Sequence, residues 1–180
     1  MIPGPNSIKI FKQGEEILTQ PSAPIKENEF NSPELIELAE KLKSIQAEIG
    51  AVGFSAPQIG SSKRLMIIGM QFDNPRRPNV KQFPNMLFIN PEITYSSVEQ
   101  DDDWEGCASV DKTIALVDRS IHISYKARDV YGNQLNGELS NFPARVFQHE
   151  LDHLDGVLMT DKAKEVKEVD PSIKIISLKP

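Results

Sequence analysis

The sequence has almost no cysteine, few aromatic residues and no long apolar run. A single cysteine among 180 residues excludes an internal disulfide and leaves the thiol free to bind a metal or to act as a nucleophile. The N-terminal segment lacks a charged head followed by an apolar core, and no window approaches the roughly 18 apolar residues of a membrane span. These absences predict a cytoplasmic protein without a membrane partner.

The charge balance is acidic, with 20 basic against 26 acidic residues and a formal net charge of -6. No basic stripe is visible, and direct nucleic-acid binding is therefore not expected, because phosphate backbones are bound by clustered Lys and Arg. The length suits one domain with a core large enough to fold without cross-links. We predict a single domain over residues 1–180, in which the charged stretch from about 162 onward, broken by Pro171, has no assigned element.

Local signals predict an early amphipathic helix. Ser32 is a suitable N-cap, Pro33 suits the first helical position, and Gly50 ends the pattern. The apolar residues in between recur at helical spacing and are Leu35, Leu38, Leu42, Ile45 and Ile49. We therefore expect a helix near the N-terminus that packs against the core.

Strand patterns predominate in the middle of the chain. Residues 64–68 and 86–89 are apolar runs, and Pro91 is expected to confine the second run to a sheet edge or a strand start. Residues 120–127 alternate between apolar and polar, and a turn leads from them to a partner strand at 135–139. These patterns predict antiparallel pairing.

A second helix is predicted late in the chain, from Ser140 or Asn141 to Asp155, with Gly156 ending it. Because strands and helices do not alternate regularly, the pattern argues against a doubly wound sheet. We predict the α+β class, with antiparallel β-sheets packed around this second helix.

The strongest chemical signal lies inside that helix. His149 and His153 are four residues apart, so their imidazoles share one helical face and can bind one metal ion, while Glu150 projects beside them. The alternative is a pair of core histidines with satisfied hydrogen bonds. We favour the metal site, because Glu150 would otherwise be a buried carboxylate in need of a partner.

A metal site on this helix needs a third ligand. Met159 occupies the position at which one zinc-protease pattern has its third histidine, and no histidine follows His153. The later acids, Glu165 and Glu168, lie in a charged run typical of solvated surface. The third ligand is therefore expected upstream, where Cys107 lies in a segment without helix or strand periodicity. A small core residue is the alternative for this cysteine.

Three segments, in this order, resemble the motifs of the peptide deformylase family. They are residues 53–58, Gly-Phe-Ser-Ala-Pro-Gln; residues 105–109, Glu-Gly-Cys-Ala-Ser; and residues 148–153, Gln-His-Glu-Leu-Asp-His. The resemblance extends from about residue 8 to residue 159. It implies an enzyme of a bacterial-type cytoplasm that removes the N-formyl group from the N-terminal methionine of newly synthesised proteins.

The resemblance also implies the reacting groups. Cys107, His149 and His153 would hold a divalent metal with water in the fourth position. Ferrous iron is the metal of the family, and zinc, nickel or cobalt can substitute. The bound water would attack the formyl carbon, while Glu150 takes the water proton and delivers it to the leaving amine.

Other site residues follow from the same resemblance. The side-chain amide of Gln58 and the backbone N–H of Ala108 are implied to stabilise the oxyanion, although Gln58 in isolation is more typical of a surface amide. Gly53 would let a substrate strand approach the first motif. Val52, Phe142 and Val146 would form the pocket for the methionine side chain, with ordinary core packing as the alternative.

The resemblance also implies a supporting ion pair, and the sequence departs from the family pattern at several positions. Glu105 and Arg119 are expected to pair and support the metal loop, with a surface ion pair as the alternative. The departures are Ala51 for Gly, Ser55 for Ala, Ala108 for Leu, Asp111 for Pro and Ile114 for Arg. They spare the three ligands and Glu150 but affect the substrate cleft.

Those departures leave two further hypotheses open. One is a divergent metallohydrolase of the same fold that cleaves another amide. The other is a metal-holding or ribosome-associated paralogue that has lost turnover. In the favoured hypothesis the partners are N-formylmethionyl peptides of nascent chains, and the ribosome is a further candidate partner.

Overall fold

The structure is a computed structural model and describes residues 9–75 and 77–170. Two long helices and eight strands form most of this part of the chain. In chain order the elements are α1 (Pro33–Ile49), β1 (Gly53–Ser55), β2 (Leu65–Met70), β3 (Phe83–Ser96), β4 (Gln100–Cys107), β5 (Val110–Ser120), β6 (His122–Arg128), β7 (Gln134–Ser140), α2 (Asn141–Leu154), the short α3 (Met159–Lys162) and β8 (Glu165–Glu168).

The strands form two antiparallel sheets on either side of α2. One sheet has the order β1-β2-β3-β6-β7 and the other has the order β4-β5-β8. Helix α2 contacts β1, β2 and β7 of the first sheet and β5 of the second. The predicted α+β class, with antiparallel sheets around the second helix, is confirmed.

Helix α1 begins and ends where its sequence signals indicate. The hydroxyl of Ser32 accepts a hydrogen bond from the backbone N–H of Leu35 at 3.2 Å, and Gly50 adopts the left-handed conformation with φ 65°. The apolar face of the helix packs in one cluster with Phe54 and with Ile67 of β2. Helix α1 therefore supports β1 from behind.

The expectation for Pro91 is wrong. Pro91 lies inside β3, a strand that pairs with β2 as far as Ile89 and with β6 from Ile89 onward. The register shifts between Ile89 and Glu92, and Asn90 at this irregularity has φ 50°. A bulge tolerates proline within a sheet because the residue there does not have to donate a ladder hydrogen bond.

The segment that ends at Cys107 is a strand, although its sequence lacks strand periodicity. Two of its inward-facing positions are acids, Asp103 and Glu105, and both are buried. Asp103 pairs with Arg77 and Glu105 pairs with Arg119. The alternation is hidden because the buried positions carry paired charges instead of apolar side chains.

The C-terminal stretch contains one strand that the sequence patterns missed. Strand β8 pairs with β5, with Ala115 opposite Val166. The rest of the unassigned stretch, from 171 to 180, lies outside the described residues. In the described part of the chain, no helix is both long enough and apolar enough to cross a membrane. The extent of the domain over residues 1–180 remains a prediction.

Candidate active site

Helix α2 carries two histidines on the face that points away from the apolar core. Its other face contributes Ala144, Phe147 and Leu154 to the core cluster between the helix and the first sheet. The rings of His149 and His153 follow one another along the helix, with their centroids 5.1 Å apart. The helical spacing therefore places both imidazoles together, as the sequence predicts.

Cys107 reaches these histidines from the second sheet. It ends β4 and is paired with Val110, so that residues 108 and 109 form a two-residue turn. Its Sγ lies 3.2 Å from Nε2 of His153. The candidate ligand atoms of Cys107, His149 and His153 all lie within 4.8 Å of one another. The structure thus brings the three predicted ligands to one point.

The chemistry of this group fits a divalent metal ion. A thiolate and two imidazoles are the donors that iron, zinc, nickel and cobalt accept in proteins. One buried polar atom beside this group, Oε2 of Glu150, has no hydrogen-bond partner within the described part of the chain. A buried polar centre of this kind is expected to receive a further group.

Electrostatics favours the ligand form of the cysteine. Burial opposes ionisation of the Cys107 thiol, but the imidazoles of His153 and His149 outweigh burial and hold its pKa well below the usual value. Burial also lowers the pKa of His149, but hydrogen bonds to Cys107 and to the carboxylate of Glu105 raise it well above the usual value. The site therefore stabilises a thiolate.

Glu105 fixes the ring of His149. Its carboxylate accepts hydrogen bonds from Nδ1 of His149 at 2.8 Å, from Nε and Nη2 of Arg119 at 2.9 Å each, and from Nη1 of Arg145 at 2.8 Å. Burial raises the pKa of Glu105, but Arg119 and His149 lower it well below its usual value. With Nδ1 occupied in this way, Nε2 of His149 is left for a metal.

The ion pair between Glu105 and Arg119 is buried, so the surface alternative is wrong. Only 3% of the Arg119 side chain and 5% of the Glu105 side chain are exposed. Arg119 also donates through Nη1 to Asp152 of α2, and Asp152 pairs with Lys162 of α3. One guanidinium therefore links β4, β5 and helix α2.

Sequence analysis missed Arg145 and Asp152. Arg145 lies four residues before His149, so helical spacing places it on the same face of α2, and in the fold it donates to the same carboxylate. Asp152 lies between the two histidines, inside the motif at residues 148–153. In both cases the available signal was a charged residue at helical spacing from a predicted ligand.

Glu150 is buried beside the three candidate ligands. Burial raises its pKa to about 7, opposed by the two imidazoles. Gly53 of β1 leaves the space that this carboxylate occupies, because a Cβ at Gly53 would collide with Oε1 of Glu150 and lie 2.7 Å from Cγ1 of Val146. Strand β1 and helix α2 approach one another closely only because residue 53 is glycine.

Gln58 is held in one orientation. Its Oε1 accepts hydrogen bonds from the backbone N–H of Ser55 at 2.9 Å and from the Ser55 hydroxyl at 3.0 Å. Its Nε2 consequently points toward the second sheet, 3.8 Å from Sγ of Cys107 and 3.2 Å from the hydroxyl of Ser109. The side chain is buried, which excludes the surface alternative. The departure at Ser55 adds a donor to this arrangement.

A cavity of about 470 Å³ opens over this group. Cys107, His149 and Glu150 form part of its wall, and so do Gln58 and Ala108. The four predicted substrate-binding residues line the same cavity and are Val52, Gly53, Phe142 and Val146. Its size is typical of small-molecule and peptide sites. Every predicted site residue except the more deeply buried His153 borders this cleft.

Three of the departures from the family pattern border the cleft. Ala51 and Ile114 line its wall, as Ala108 does. The departure at Asp111 lies outside the cleft, where the carboxylate pairs with Lys12. These substitutions therefore change the cleft wall and its surroundings without altering the group of Cys107, His149 and His153.

The fold and the site together place a candidate metal centre of one sulfur and two imidazoles between two sheets. The family described as Polypeptide deformylase has a sequence model that matches residues 7–169. A peptide deformylase of Leptospira biflexa is 38% identical over 159 residues, which cover 88% of this chain and 89% of the relative. Peptide deformylase 1 of Nitrosomonas europaea is 33% identical and covers 88% of both chains.

Solved structures agree with these relatives. A Met-Ala-Ser-bound class I type b peptide deformylase of Acinetobacter baumannii superposes with a TM-score of 0.81 at 36% identity, covering 85% of this chain and 96% of that one. The peptide deformylase of Thermotoga maritima superposes with a TM-score of 0.76 at 29% identity, covering 88% of this chain and 98% of that one. The chain belongs to the polypeptide deformylase family.

Proposed function

We propose that this protein removes the N-formyl group from the N-terminal methionine of newly synthesised proteins, using a divalent metal held by Cys107, His149 and His153. The activity is that of its family. The observation that carries the residue assignment is the convergence of one sulfur and two imidazoles within 4.8 Å, beside a buried carboxylate. In the described part of the chain, no other group of three or more His, Cys, Asp or Glu side chains is arranged so that it could hold a metal ion.

In this proposal the protein supplies the ligands already in position. The thiolate of Cys107 and Nε2 of His149 are oriented by their neighbours, and Glu105 holds the imidazole through Nδ1. When bound, the metal acts as a Lewis acid that polarises the formyl carbonyl and lowers the pKa of water. The donor set suits iron, zinc, nickel and cobalt alike, so our assignment of ferrous iron in the cell rests on the family.

Glu150 is proposed to move the proton. Its pKa of about 7 lies close to the operating pH, which is the range in which a carboxylate can both accept and donate a proton. Its unpartnered Oε2 is free to accept the proton from water and to pass it to the leaving amine. Burial on α2 keeps the carboxylate close to the reacting atoms.

Gln58 and Ala108 are proposed to stabilise the negative charge that develops on the formyl oxygen. The Nε2 of Gln58 points toward Cys107 because Ser55 holds the other end of the amide. Ala108 immediately follows Cys107 in the turn between β4 and β5. Two donors from different sheets would then converge on one oxygen, and each typically contributes ~10²–10³ to the rate.

The cleft suits an extended peptide. Strand β1 is the edge strand of its sheet among the described strands, so its outer backbone groups can pair with a substrate strand. Val52, Phe142 and Val146 line the same cavity and can receive a methionine side chain. We further propose the cytoplasm as the compartment, because a reducing environment keeps Cys107 as a free thiol. Association with the ribosome remains a prediction.

The decisive experiment compares three substrates with the protein purified without air. Bound metal and free thiol are measured first, and turnover is then measured on formyl-methionyl, acetyl-methionyl and unblocked peptides. We expect one metal ion per chain and a strong preference for the formyl substrate. Equal slow cleavage of all three would support a divergent metallohydrolase, and metal without turnover would support a paralogue that has lost activity.

A Cys107→Ala variant tests the metal assignment in the same assay. We expect it to lose metal affinity, because one of three protein ligands is removed. Bound metal is measured after dialysis. A variant that keeps its metal at the original affinity would remove Cys107 from the proposed ligand set.

A further inference from the structure

The N-terminal segment 11–13 bridges the two parts of the candidate site. The backbone N–H of Phe11 donates to the carbonyl of Gln58 at 2.9 Å, and the backbone N–H of Gln13 donates to the carbonyl of Ser109 at 2.8 Å. Between them, Nζ of Lys12 donates to the carbonyl of Ala108 at 2.8 Å. Three consecutive residues thus contact both proposed oxyanion donors, Gln58 and Ala108, and the residue that follows the second of them, Ser109.

This bridge matters because the two donors belong to different sheets. Gln58 lies in the short 3-10 turn (Ala56–Ile59) that follows β1 of the first sheet, whereas Ala108 lies in the turn between β4 and β5 of the second. Their separation therefore depends on contacts between the sheets. The hydrogen bond from Nε2 of Gln58 to the hydroxyl of Ser109, at 3.2 Å, is the direct link. Segment 11–13 provides the second link.

The segment is anchored firmly on the Gln58 side. The ring of Phe11 packs against Gly60, directly after the turn, so closely that a Cβ at Gly60 would lie 2.7 Å from its Cε2. On the other side, the side-chain amide of Gln13 donates to the hydroxyl of Thr160 in α3 at 3.0 Å. With its neighbours held in this way, Lys12 extends toward Ala108 from a fixed backbone.

Lys12 has two partners, the carboxylate of Asp111 and the carbonyl of Ala108, and only the second contact reaches the candidate site. Its Nζ also pairs with Oδ1 of Asp111 at 2.7 Å. The side chains of Lys12 and Asp111 are 44% and 68% exposed, so this ion pair contributes little by itself. The bond to the Ala108 carbonyl is the one that reaches the site, because it restrains the residue whose N–H is a proposed oxyanion donor.

We propose that Lys12 is a positioning residue, which holds Ala108 at the correct distance from Gln58 for both to donate to one oxyanion. The inference rests on the proposed function, since it assumes that these two groups stabilise the transition state. Lys12 does not border the cleft, so it acts through Ala108 and not through the substrate. Misplacement of one donor weakens transition-state binding more than substrate binding.

The test uses the metal-loaded enzyme and a Lys12→Met variant, which keeps most of the aliphatic stem and removes the donor. We expect kcat on a formyl-methionyl peptide to fall about tenfold, a fraction of the ~10²–10³ lost when a donor is removed outright. KM and metal content are expected to stay within twofold. Lys12→Arg should restore most of kcat, because it returns a cationic donor to the same position.

Asp111→Asn is the matched control. It weakens the surface ion pair but leaves the bond between Lys12 and Ala108, so kcat is expected to stay within twofold of the unmodified enzyme. Thermal melts of all three variants identify any loss of folding. If Lys12→Met does not fold, Lys12→Ala replaces it, because it also removes the donor and its small side chain fits the same exposed position.

The outcomes separate the inference from the proposed function. If the unmodified enzyme does not hydrolyse the formyl peptide, the proposed function fails and the inference fails with it. If the unmodified enzyme is active and Lys12→Met retains its kcat, only the inference is overturned. Equal losses in Lys12→Met and Asp111→Asn would also overturn it, because the ion pair would then be the important contact.

Discussion

Glu105 of β4 accepts a hydrogen bond of 2.8 Å from Nδ1 of His149 of α2. The same carboxylate binds Arg119 and Arg145, so one buried anion connects the second sheet to helix α2. A histidine ligand with its second nitrogen occupied has a fixed ring orientation and a more basic free nitrogen. The orientation of the proposed ligand His149 therefore depends on Glu105, which is not itself among the proposed ligands.

Glu105→Gln tests this dependence. The amide is nearly the same size but carries no charge, so His149 loses its anionic acceptor and Arg119 loses part of its pairing. We expect metal affinity to fall by about 10–100-fold, the usual effect of losing such a partner. Competition with a chelator measures the affinity. Glu138→Gln, on exposed β7, is the control, and equal losses in both variants would contradict the prediction.

Arg119→Leu tests the buried charge network. The substitution leaves Glu105 and Asp152 without their shared guanidinium in a site where Arg119 is 3% exposed. Breaking a buried pair on one side typically costs about 3–5 kcal/mol, because the remaining charge is uncompensated. Urea denaturation of the metal-free protein measures the free energy of unfolding without a contribution from metal binding.

A matched surface pair provides the reference for that measurement. Lys126 and Glu92 pair at 2.9 Å on the first sheet, with side chains 52% and 59% exposed. Lys126→Leu is expected to cost less than about 1 kcal/mol. If Arg119→Leu destabilised the protein no more than Lys126→Leu, the network would not contribute the stability that its burial indicates.

Glu150→Ala separates metal binding from proton transfer. We expect the variant to keep its metal, because the three proposed ligands are unchanged, and to lose about 10²–10⁴ in kcat with the general base removed. Metal content and turnover of a formyl-methionyl peptide are measured on the same sample. Ordinary activity in this variant would exclude Glu150 as the proton-transfer group.

Gly53→Ala tests the close approach of β1 to α2. The added methyl would meet Oε1 of Glu150 and Cγ1 of Val146, so it displaces the carboxylate or widens the cleft. We expect kcat/KM to fall at least tenfold while metal content is retained, because a misplaced catalytic group of this kind costs about 10²-fold per 1 Å. Gly106→Ala is the control for stability, since a Cβ there meets no atom within 4 Å.

Much of the framework was accessible from local sequence patterns. Helix α1 has its cap at Ser32 and its end at Gly50, and these signals depend only on neighbouring residues. The same holds for α2, whose helical spacing brings His149 and His153 together. The β6–β7 hairpin is likewise specified by an alternating strand and the turn that follows it. Such features depend on neighbouring residues and not on where the segment lies in the fold.

Other features depend on residues that are distant in the sequence. Strand β4 could not be identified from its own residues, because its buried acids are acceptable only beside Arg77 and Arg119. Pro91 is tolerated inside β3 only because the register shifts there between two partner strands. An alternating pattern predicts a strand only where the buried side chains are apolar. Whether a charged side chain can be buried depends on its partner, which is distant in the sequence.

Sequence alone predicted the α+β class, the two helices and the residue types of a candidate Cys-His-His metal centre, because helical spacing and motif composition are local properties. Folding then decided which charges surround that centre and how far apart its donors lie. Lys12 meets Ala108 across 96 positions of the chain, and Arg119 meets Asp152 across 33. Contacts over such separations arise from the packing of two sheets on one helix, which no short segment encodes.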